Sequence, residues 1–205
     1  MSMDDEKLRE STLESEFIFN GRLLKVYRDR VQLPNGHESQ REFIRHQGAV
    51  GILPILDDGS MIFVRQFRYP VKKVLYEIPA GKIEGDEAPL SCAKRELSEE
   101  SGYTAKDFKK LTSILTTPGF TDEQIHLYAA TGLTSGKQHP DEDEFLNVVI
   151  LTPEEVKERV LSGEICDAKS LCSLYLYCTC QQKLDTKLKK SGIKNESMYK
   201  IHQLF

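Results

Sequence analysis

The stretch that decides the fold is residues 81–103, GKIEGDEAPLSCAKRELSEESGY. Pro89 suits the first turn of a helix, and Gly102 suits the left-handed position just after a helix ends. Between them, apolar side chains recur at intervals of three and four residues, at Leu90, Ala93 and Leu97. This spacing places apolar side chains on one helix face. The stretch therefore predicts a short amphipathic helix with two defined ends.

Three glutamates, Glu96, Glu99 and Glu100, stand at positions i, i+3 and i+4 and therefore project from one face of the predicted helix. Like charges four residues apart destabilise an isolated helix by about 0.2–0.5 kcal/mol per pair, so a cation among them is favoured. Carboxylate oxygens are ligands that Mg²⁺ and Mn²⁺ prefer. Arg95 precedes Glu99 by four residues and is placed to pair with it and fix its direction. A charge run of this kind, taken alone, is more often a solvated helix face, so the metal interpretation depends on its surroundings.

The whole segment resembles the Nudix box, GX5EX7REUXEEXGU, in which U is a bulky aliphatic residue. This box is the signature of hydrolases that act on nucleoside diphosphates linked to another group. Eight defined positions fall in register: Gly81, Glu87, Arg95, Glu96, Leu97, Glu99, Glu100 and Gly102. The one departure is Tyr103 at the final aliphatic position, where tyrosine can still fill an apolar pocket. The resemblance implies a metal-dependent hydrolase with the Nudix α/β/α sandwich fold.

The composition is that of an ordinary soluble globular protein. The chain has 205 residues, 39% hydrophobic and 29% charged, enough for one domain with a sizeable core or for one domain plus a small extra unit. A formal net charge of −4 argues against a large nucleic-acid surface. Residues 1–20 contain no long apolar run, so we expect no signal peptide, no membrane span and a cytoplasmic location. The five cysteines lack paired CxxC spacing and are interpreted as reduced structural thiols, with Cys92 not a nucleophile.

Two turns divide the first part of the chain. Residues 34–37, Pro-Asn-Gly-His, lie between alternating segments and predict a hairpin in a small antiparallel β unit. Residues 57–60, Asp-Asp-Gly-Ser, lie between two apolar runs and predict a second hairpin of core strands. Further strands are predicted at 74–80, 111–115, 125–130 and 145–151.

Two helices follow the last predicted strand. The first is predicted at 153–161, with Thr152 at its cap. The second is predicted from about Asp167 into Lys187, with one face formed by Leu171, Leu174, Tyr175 and Cys178. These patterns predict an α/β fold with a mixed sheet between helices. We therefore predict a β-hairpin and dimerisation unit at 1–46, a hydrolase domain at 47–187 and a tail of unknown role at 188–205.

A second resemblance covers roughly residues 21–177 and narrows the substrate. The segments VRQFR at 64–68, YEIPAGK at 76–82 and TPGFTDE at 117–123 are similar to those of ADP-ribose pyrophosphatases. Pro118 and the acidic loop 141–145 are typical of that subfamily, and residues 165–170 resemble the start of its C-terminal helix. This resemblance implies hydrolysis of ADP-ribose to AMP and ribose 5-phosphate with Mg²⁺, or with Mn²⁺ in its place. It also implies a homodimer whose N-terminal units are exchanged or packed across the interface.

The resemblance assigns five residues to substrate binding. They are Arg41, Arg68, Pro118, Gly119 and Glu123. Arg41 and Arg68 lie at or near predicted strand ends, where a guanidinium grips phosphate or stacks on adenine. The alternative is that both arginines only pair with surface carboxylates.

The metal and the catalytic base are assigned in the same way. The backbone carbonyl of Ala80 is implied to bind metal alongside Glu96 and Glu100, with Glu144 as a further metal-associated residue. Glu142 is implied to be the general base, because water that attacks phosphorus needs one. Glu99 and Arg95 complete the catalytic set. Four consecutive acids at 141–144 leave the choice of base among them open.

Two other functions remain open at this point. The same chemistry fits another nucleoside diphosphate sugar or an oxidised nucleotide as the preferred substrate. A different class is a non-catalytic sensor that binds ADP-ribose and regulates a partner. Intact box acids argue against the sensor, although a fold alone does not determine function. The sequence predicts a small-molecule substrate and no nucleic-acid or membrane partner.

Overall fold

The computed structural model describes residues 3–140 and 144–190. The described residues fall into two units. The N-terminal unit holds residues up to 47 together with 115–124, and the main unit holds 48–114 together with residues from 125 onward. Most of residues 188–205, the predicted tail, lie outside the described part of the chain, whose last helix ends at Lys190.

The elements of the N-terminal unit are α1 (Met3–Glu6), β1 (Ser11–Asn20), β2 (Lys25–Gln32) and β3 (Glu38–Arg45). The main unit adds β4 (Ala49–Pro54), β5 (Met61–Arg68), β6 (Lys73–Glu77), β7 (Ala80–Lys82), α2 (Pro89–Ser101), β8 (Tyr103–Leu115), β9 (Gln124–Ser135), β10 (Leu146–Leu151), α3 (Pro153–Ser162) and α4 (Ala168–Lys190). No described helix is both long enough and apolar enough to cross a membrane.

The N-terminal unit contains an antiparallel three-stranded sheet in the order β1-β2-β3. The predicted hairpin at 34–37 is confirmed, and Gly36 adopts the left-handed conformation with φ of 85° that the turn requires. The sequence reading missed most of β1. All ten of its residues are exposed, so the strand has no buried face and no alternation of apolar residues to reveal it.

The main unit contains a four-stranded sheet, β7-β4-β9-β8, and a three-stranded sheet, β10-β5-β6. The larger sheet is mixed, because β4 runs parallel to β9 and antiparallel to β7. The predicted turn at 57–60 is present, with Gly59 at φ of 89°. The predicted β4–β5 hairpin is wrong beyond one bridge, Ile55 to Met61, since the two strands enter different sheets. Every residue of β4 is buried, so it takes neighbours on both edges and cannot be an outer hairpin strand.

Two core clusters lie on the two sides of β4. On one side Val50 and Ile52 pack with Ala93 and Leu97 of α2. On the other side, Leu53 belongs to a cluster with apolar residues of β5, α3 and α4, including Phe63, Val156, Leu174 and Cys178. Buried sheet therefore lies between helical layers, as the predicted α/β fold requires.

Helix α2 begins at Pro89 and ends before Gly102, whose φ is 75°, so both predicted ends are confirmed. Ala93 and Leu97 are fully buried, but the expected burial of Leu90 is wrong, because its exposed fraction is 41%. Cys92 is buried instead. The buried face also carries Glu96 and Glu100. The pattern of apolar residues alone therefore does not locate this face correctly.

Helices α3 and α4 are also present close to their predicted bounds. Thr152 caps α3 in a capping box, in which its hydroxyl accepts from the backbone of the third helical residue. In α4 Leu174 and Cys178 are buried as predicted, but Tyr175 is 59% exposed, contrary to prediction. Small polar residues occupy part of the buried face, at Ser170 and Ser173. The apolar pattern alone therefore misplaces its edge.

Candidate active site

Strand β7 lies directly against the carboxylates of α2. A Cβ atom built on Gly81 would lie 1.9 Å from the carboxyl carbon of Glu96, so any side chain at this position would displace that carboxylate. The adjacent Ala80 N–H donates to Oε2 of Glu100 at 2.9 Å. Glu100 is 3% exposed and Glu96 is 9% exposed. The structure thus brings together the three predicted ligands Ala80, Glu96 and Glu100.

The buried carboxylates are held at an electrostatic cost. Burial, together with the charges of Glu96 and Glu144, raises the pKa of Glu100 to about 8, against a hydrogen bond from Ala80 that lowers it. Burial also raises the pKa of Glu96 to about 7, although Arg95 opposes the shift. The charge of Glu144 acts on both groups. A cation among these acids would remove their mutual repulsion and restore their charged forms.

The donor set fits a hard divalent cation. Two carboxylates and a backbone carbonyl are oxygen ligands of the kind that Mg²⁺ accepts, with water completing the coordination. Within residues 3–140 and 144–190, no three His, Cys, Asp or Glu side chains are already arranged to hold a metal ion. The predicted base Glu142 lies outside the described residues, together with Asp141 and Asp143.

Arg95 links three glutamates of the box. Its Nη1 donates to Glu96 at 2.8 Å and to Glu99 at 2.9 Å. Its Nη2 donates to Glu87 at 3.0 Å, and hydrogen bonding to Arg95 lowers the pKa of Glu87. Glu99 therefore contacts Arg95 as expected, whereas the sequence reading gave Glu87 no partner. Glu87 lies just before α2 and Arg95 stands eight positions later within the helix, a separation that helical spacing does not reveal.

Arg68 lies on β5 and makes a two-point ion pair. Its Nε and Nη2 donate to the two oxygens of Glu77 at 2.7 and 2.8 Å. Glu77 is 2% exposed, so the partner is a buried carboxylate and not the surface acid of the alternative interpretation. Lys169 also donates to Glu77. Sequence reasoning missed both Glu77 and Lys169.

Arg41 lies in the N-terminal unit. Its Nε donates to Glu10 at 2.8 Å and its Nη1 donates to the Gln40 carbonyl at 2.9 Å. The pairing with Glu10 also raises the pKa of Arg41. Since Glu10 is distant in sequence from Arg41, no local spacing signalled this pair.

An aromatic cluster lies in the sheet of the same unit. The ring of Tyr27 lies 4.8 Å from that of Phe17 and 5.7 Å from that of Phe43, between centroids. The guanidinium of Arg45 lies over both Tyr27 and Phe43, at 5.3 and 5.4 Å from their ring centroids. Such a surface suits a flat or cationic group. The sequence reading did not single out these residues.

The loop that carries the other three predicted substrate residues belongs to the N-terminal unit. Pro118 and Gly119 are exposed. Glu123 accepts from the Thr116 hydroxyl at 2.8 Å and lies 3.6 Å from His46. The loop therefore has its own side-chain contacts.

Cys92 is not placed for nucleophilic chemistry. It is fully buried, and its Sγ donates to the Lys82 carbonyl at 3.3 Å. Burial, reinforced by the charge of Glu87, raises its pKa to about 12. At neutral pH it therefore stays a thiol, and a thiol is a poor nucleophile.

Comparison with known families gives two matches that together cover most of the chain. The family model described as NUDIX domain matches residues 45–172. A second model, described as nucleoside diphosphate sugar hydrolase N-terminal domain, matches residues 10–44.

Individual relatives agree with these matches. An ADP-ribose pyrophosphatase of Bacillus subtilis is 45% identical over 167 residues, which cover 80% of this chain and 90% of the relative. A methanol dehydrogenase activator of Bacillus methanolicus is 42% identical over 87% of this chain and 97% of its own. An ADP-ribose pyrophosphatase of Mycobacterium tuberculosis is 35% identical over 80% of each chain.

A solved structure, described as an ADP compounds hydrolase, superposes with a TM-score of 0.75. The match covers 90% of this chain and 97% of the solved chain at 24% sequence identity. At that identity the likeness concerns the fold alone, and it agrees with the mixed sheet and helical layers described above.

Proposed function

This chain belongs to the NUDIX family of hydrolases, and from that membership we propose that it hydrolyses the pyrophosphate bond of ADP-ribose to AMP and ribose 5-phosphate. The observation that carries the proposal is the pair of buried glutamates, Glu96 and Glu100, packed against Ala80 and Gly81. Two relatives named ADP-ribose pyrophosphatase match most of the chain at 45% and 35% identity and support the substrate.

Glu96, Glu100 and the Ala80 carbonyl would hold the divalent cation, with Glu144 beside them. We propose Mg²⁺, with Mn²⁺ as a substitute. When bound, the cation offsets the negative charge that develops on the pyrophosphate oxygens. Arg95 holds Glu96 and Glu99 in fixed directions through its two hydrogen bonds.

The remaining steps belong to side chains. Arg68, with its guanidinium held at Glu77, is proposed to bind a phosphate oxygen. Glu142 is proposed to accept a proton from the attacking water. The water oxygen forms a bond to one phosphorus, and the bond between that phosphorus and the bridging oxygen breaks. The bridging oxygen leaves on the other phosphate. Arg41, Pro118, Gly119 and Glu123 are proposed as further substrate-binding residues.

The direct test is release of AMP from ADP-ribose, followed by chromatography with and without EDTA. We expect turnover in Mg²⁺, none in EDTA, and recovery when Mg²⁺ is returned. The variant Glu100→Gln should lower kcat on the order of 10³-fold, because one ligand charge is lost. Full activity in EDTA, or near-normal kcat in Glu100→Gln, would contradict the metal assignment.

The preferred sugar needs a separate measurement. GDP-mannose pyrophosphatases of Yersinia species are 30–31% identical to this chain, so another nucleoside diphosphate sugar is a competing substrate. A panel of kcat/KM values for ADP-ribose, ADP-glucose, GDP-mannose and 8-oxo-dGDP decides between them. A higher value for any compound than for ADP-ribose would replace the proposed substrate. Equilibrium binding of ADP-ribose without turnover would instead favour the sensor.

The 42% identical methanol dehydrogenase activator favours one second candidate, activation of a dehydrogenase. The test is the rate of methanol oxidation by a methanol dehydrogenase with and without this chain. A dose-dependent rise in rate that disappears in Glu100→Gln would show that the two functions share the same site. An unchanged rate would exclude this second candidate.

We also propose a homodimer in which the N-terminal units pack across or exchange. The support is β1, an exposed strand on which Leu13, Phe17, Ile18 and Phe19 are each more than 40% exposed. Such a strand favours a further surface to cover it. Gel filtration with light scattering tests the proposal, and a monomer at working concentration would refute it. A cytoplasmic location remains a prediction, which cell fractionation would test.

A further inference from the structure

A network of four charged side chains, centred on the buried Glu77, joins β5, β6 and the start of α4 in the main unit. Glu77 accepts both Nε and Nη2 of Arg68, and its Oε2 also accepts from Lys169. Lys169 donates in addition to Asp167 at 2.8 Å. The network holds two positive and two negative groups and is formally neutral.

Glu77 is the centre of this network. Burial by itself would raise its pKa, but hydrogen bonding to Arg68 and the charge of Lys169 outweigh burial and lower the pKa to about 2. Glu77 therefore stays charged at neutral pH between the two cations. If Lys169 were removed, Arg68 alone would have to neutralise a carboxylate that is 2% exposed.

The geometry of Arg68 leaves one edge of its guanidinium for another ligand. Nε and Nη2 both face Glu77, and Nη1 lies on the far side of the planar group. The Arg68 side chain is 42% exposed although its partner is buried. The charge of Glu100 acts on Arg68, so the guanidinium lies in the electrostatic field of the predicted metal ligands. Nη1 is therefore the group of Arg68 that remains for a phosphate of the substrate.

The first turn of α4 also holds the end of β6 and the residue after it through hydrogen bonds. Asp167 accepts from the backbone N–H of Ser170 at 3.1 Å, as an N-cap does. The Ser170 hydroxyl in turn accepts from the Ile78 N–H at 2.9 Å. Glu77 and Ile78 stand just before Pro79 and Ala80, so α4 holds the backbone that leads to a predicted metal ligand.

We propose that Lys169 is a positioning residue that acts through Glu77 to hold the Arg68 guanidinium ready for the substrate diphosphate. The inference rests on the proposed function, in which Arg68 binds phosphate. Lys169 neutralises part of the negative charge of Glu77. Arg68 can therefore keep its Nη1 edge turned toward the substrate. Without Lys169, the full charge of Glu77 would attract Arg68 more strongly and draw its guanidinium away from the phosphate.

The test compares Lys169→Met, Lys169→Arg and the matched control Lys109→Met, which removes an exposed lysine of β8. We expect Lys169→Met to raise KM for ADP-ribose roughly tenfold, the loss expected for one charged hydrogen bond, with a smaller change in kcat. Lys169→Arg should keep KM within about twofold, because it restores a cationic donor to Glu77. If Lys169→Met does not fold, Lys169→Gln takes its place.

A double-mutant comparison separates positioning from plain structural support. In an Arg68→Ala background, Lys169→Met should add little to KM, because the residue through which it acts is gone. An equal effect with and without Arg68 would overturn the inference. So would an unchanged KM accompanied only by a lower melting temperature.

Titration with inorganic pyrophosphate in Mg²⁺ gives a readout that needs no turnover. We expect Lys169→Met to weaken binding of pyrophosphate in the wild-type background but not in Arg68→Ala. Equal affinity in the parent and Lys169→Met would overturn the inference. Absence of ADP-ribose turnover by the parent protein would instead overturn the proposed function, and the two failures are therefore distinguishable.

Discussion

At the scale of single residues, Gly81 limits how the site can be built. The carboxylate of Glu96 occupies the space that any Cβ at this position would need. The close approach of β7 to α2 depends on this missing side chain. Gly81 thereby connects a local feature of the backbone with the position of a predicted metal ligand.

Substitution of Gly81 by alanine should lower kcat/KM about 100-fold, because even a displacement near 1 Å at a catalytic group can have that effect. The measurement is steady-state hydrolysis of ADP-ribose together with thermal melting. Gly163→Ala is the control, since Gly163 has φ of 80° and no atom within 4 Å of a built Cβ. That variant should lower the melting temperature through backbone strain and leave kcat unchanged. Normal kcat/KM in Gly81→Ala would show that Glu96 can move freely.

The raised pKa values of Glu96 and Glu100, to about 7 and about 8, predict a pH-dependent response to metal. Each acid binds a proton more tightly when folded than when unfolded, so its contribution to the free energy of unfolding is present at low pH and lost as pH rises through the folded pKa. Metal competes with these protons, and its stabilising effect should therefore grow between about pH 6 and 8.5. The measurement is the rise in melting temperature caused by Mg²⁺ at each pH. The pH dependence of this rise should flatten in Glu100→Gln, and a rise independent of pH in the parent protein would contradict the assignment.

At the scale of elements, Thr152 offers a clean test of local stability. Its hydroxyl and backbone form the capping box at the start of α3. Thr152→Ala should cost about 1 kcal/mol in the free energy of unfolding. A chain of this size should then melt about 2–4 °C lower, and kcat for ADP-ribose should not change. Chemical denaturation with an unchanged m-value would support this account, whereas a loss of kcat would show that α3 contributes to the site.

Elements with local signals were predicted well, and elements defined by distant partners were not. Helix α2 could be located because Pro89 and Gly102 mark its ends within the segment itself. The β4–β5 pairing was wrong because a turn between two apolar runs does not reveal which sheet each strand joins. The same reason explains which contacts of the candidate site could be predicted. Arg95 and Glu99 are four residues apart and were paired correctly, whereas 92 residues separate Glu77 from Lys169.

At the scale of the whole molecule, the proposed dimer depends on the exposed apolar side chains of β1. Ile18→Asp places a charge on that strand, at a position that is 41% exposed. Because an uncompensated charge is costly to bury, we expect the variant to shift toward monomer in light scattering. Thr12→Asp, which adds the same charge at an exposed polar position of β1, is the control and should remain dimeric. Identical masses for the parent and Ile18→Asp would exclude Ile18 from the interface.

The hydrogen bond from Ile78 to Ser170 also provides a way to observe α4. An amide proton protected by a side-chain hydroxyl becomes open to solvent exchange when the element that carries the hydroxyl moves away. Deuterium uptake at Ile78 therefore reports how often α4 leaves the sheet, without any reference to catalysis. If α4 undocks as one body, Ile78 should exchange at the same rate as the buried amides in the first turns of α4. A shared rate would identify the strand end and the helix as one cooperative unit of unfolding.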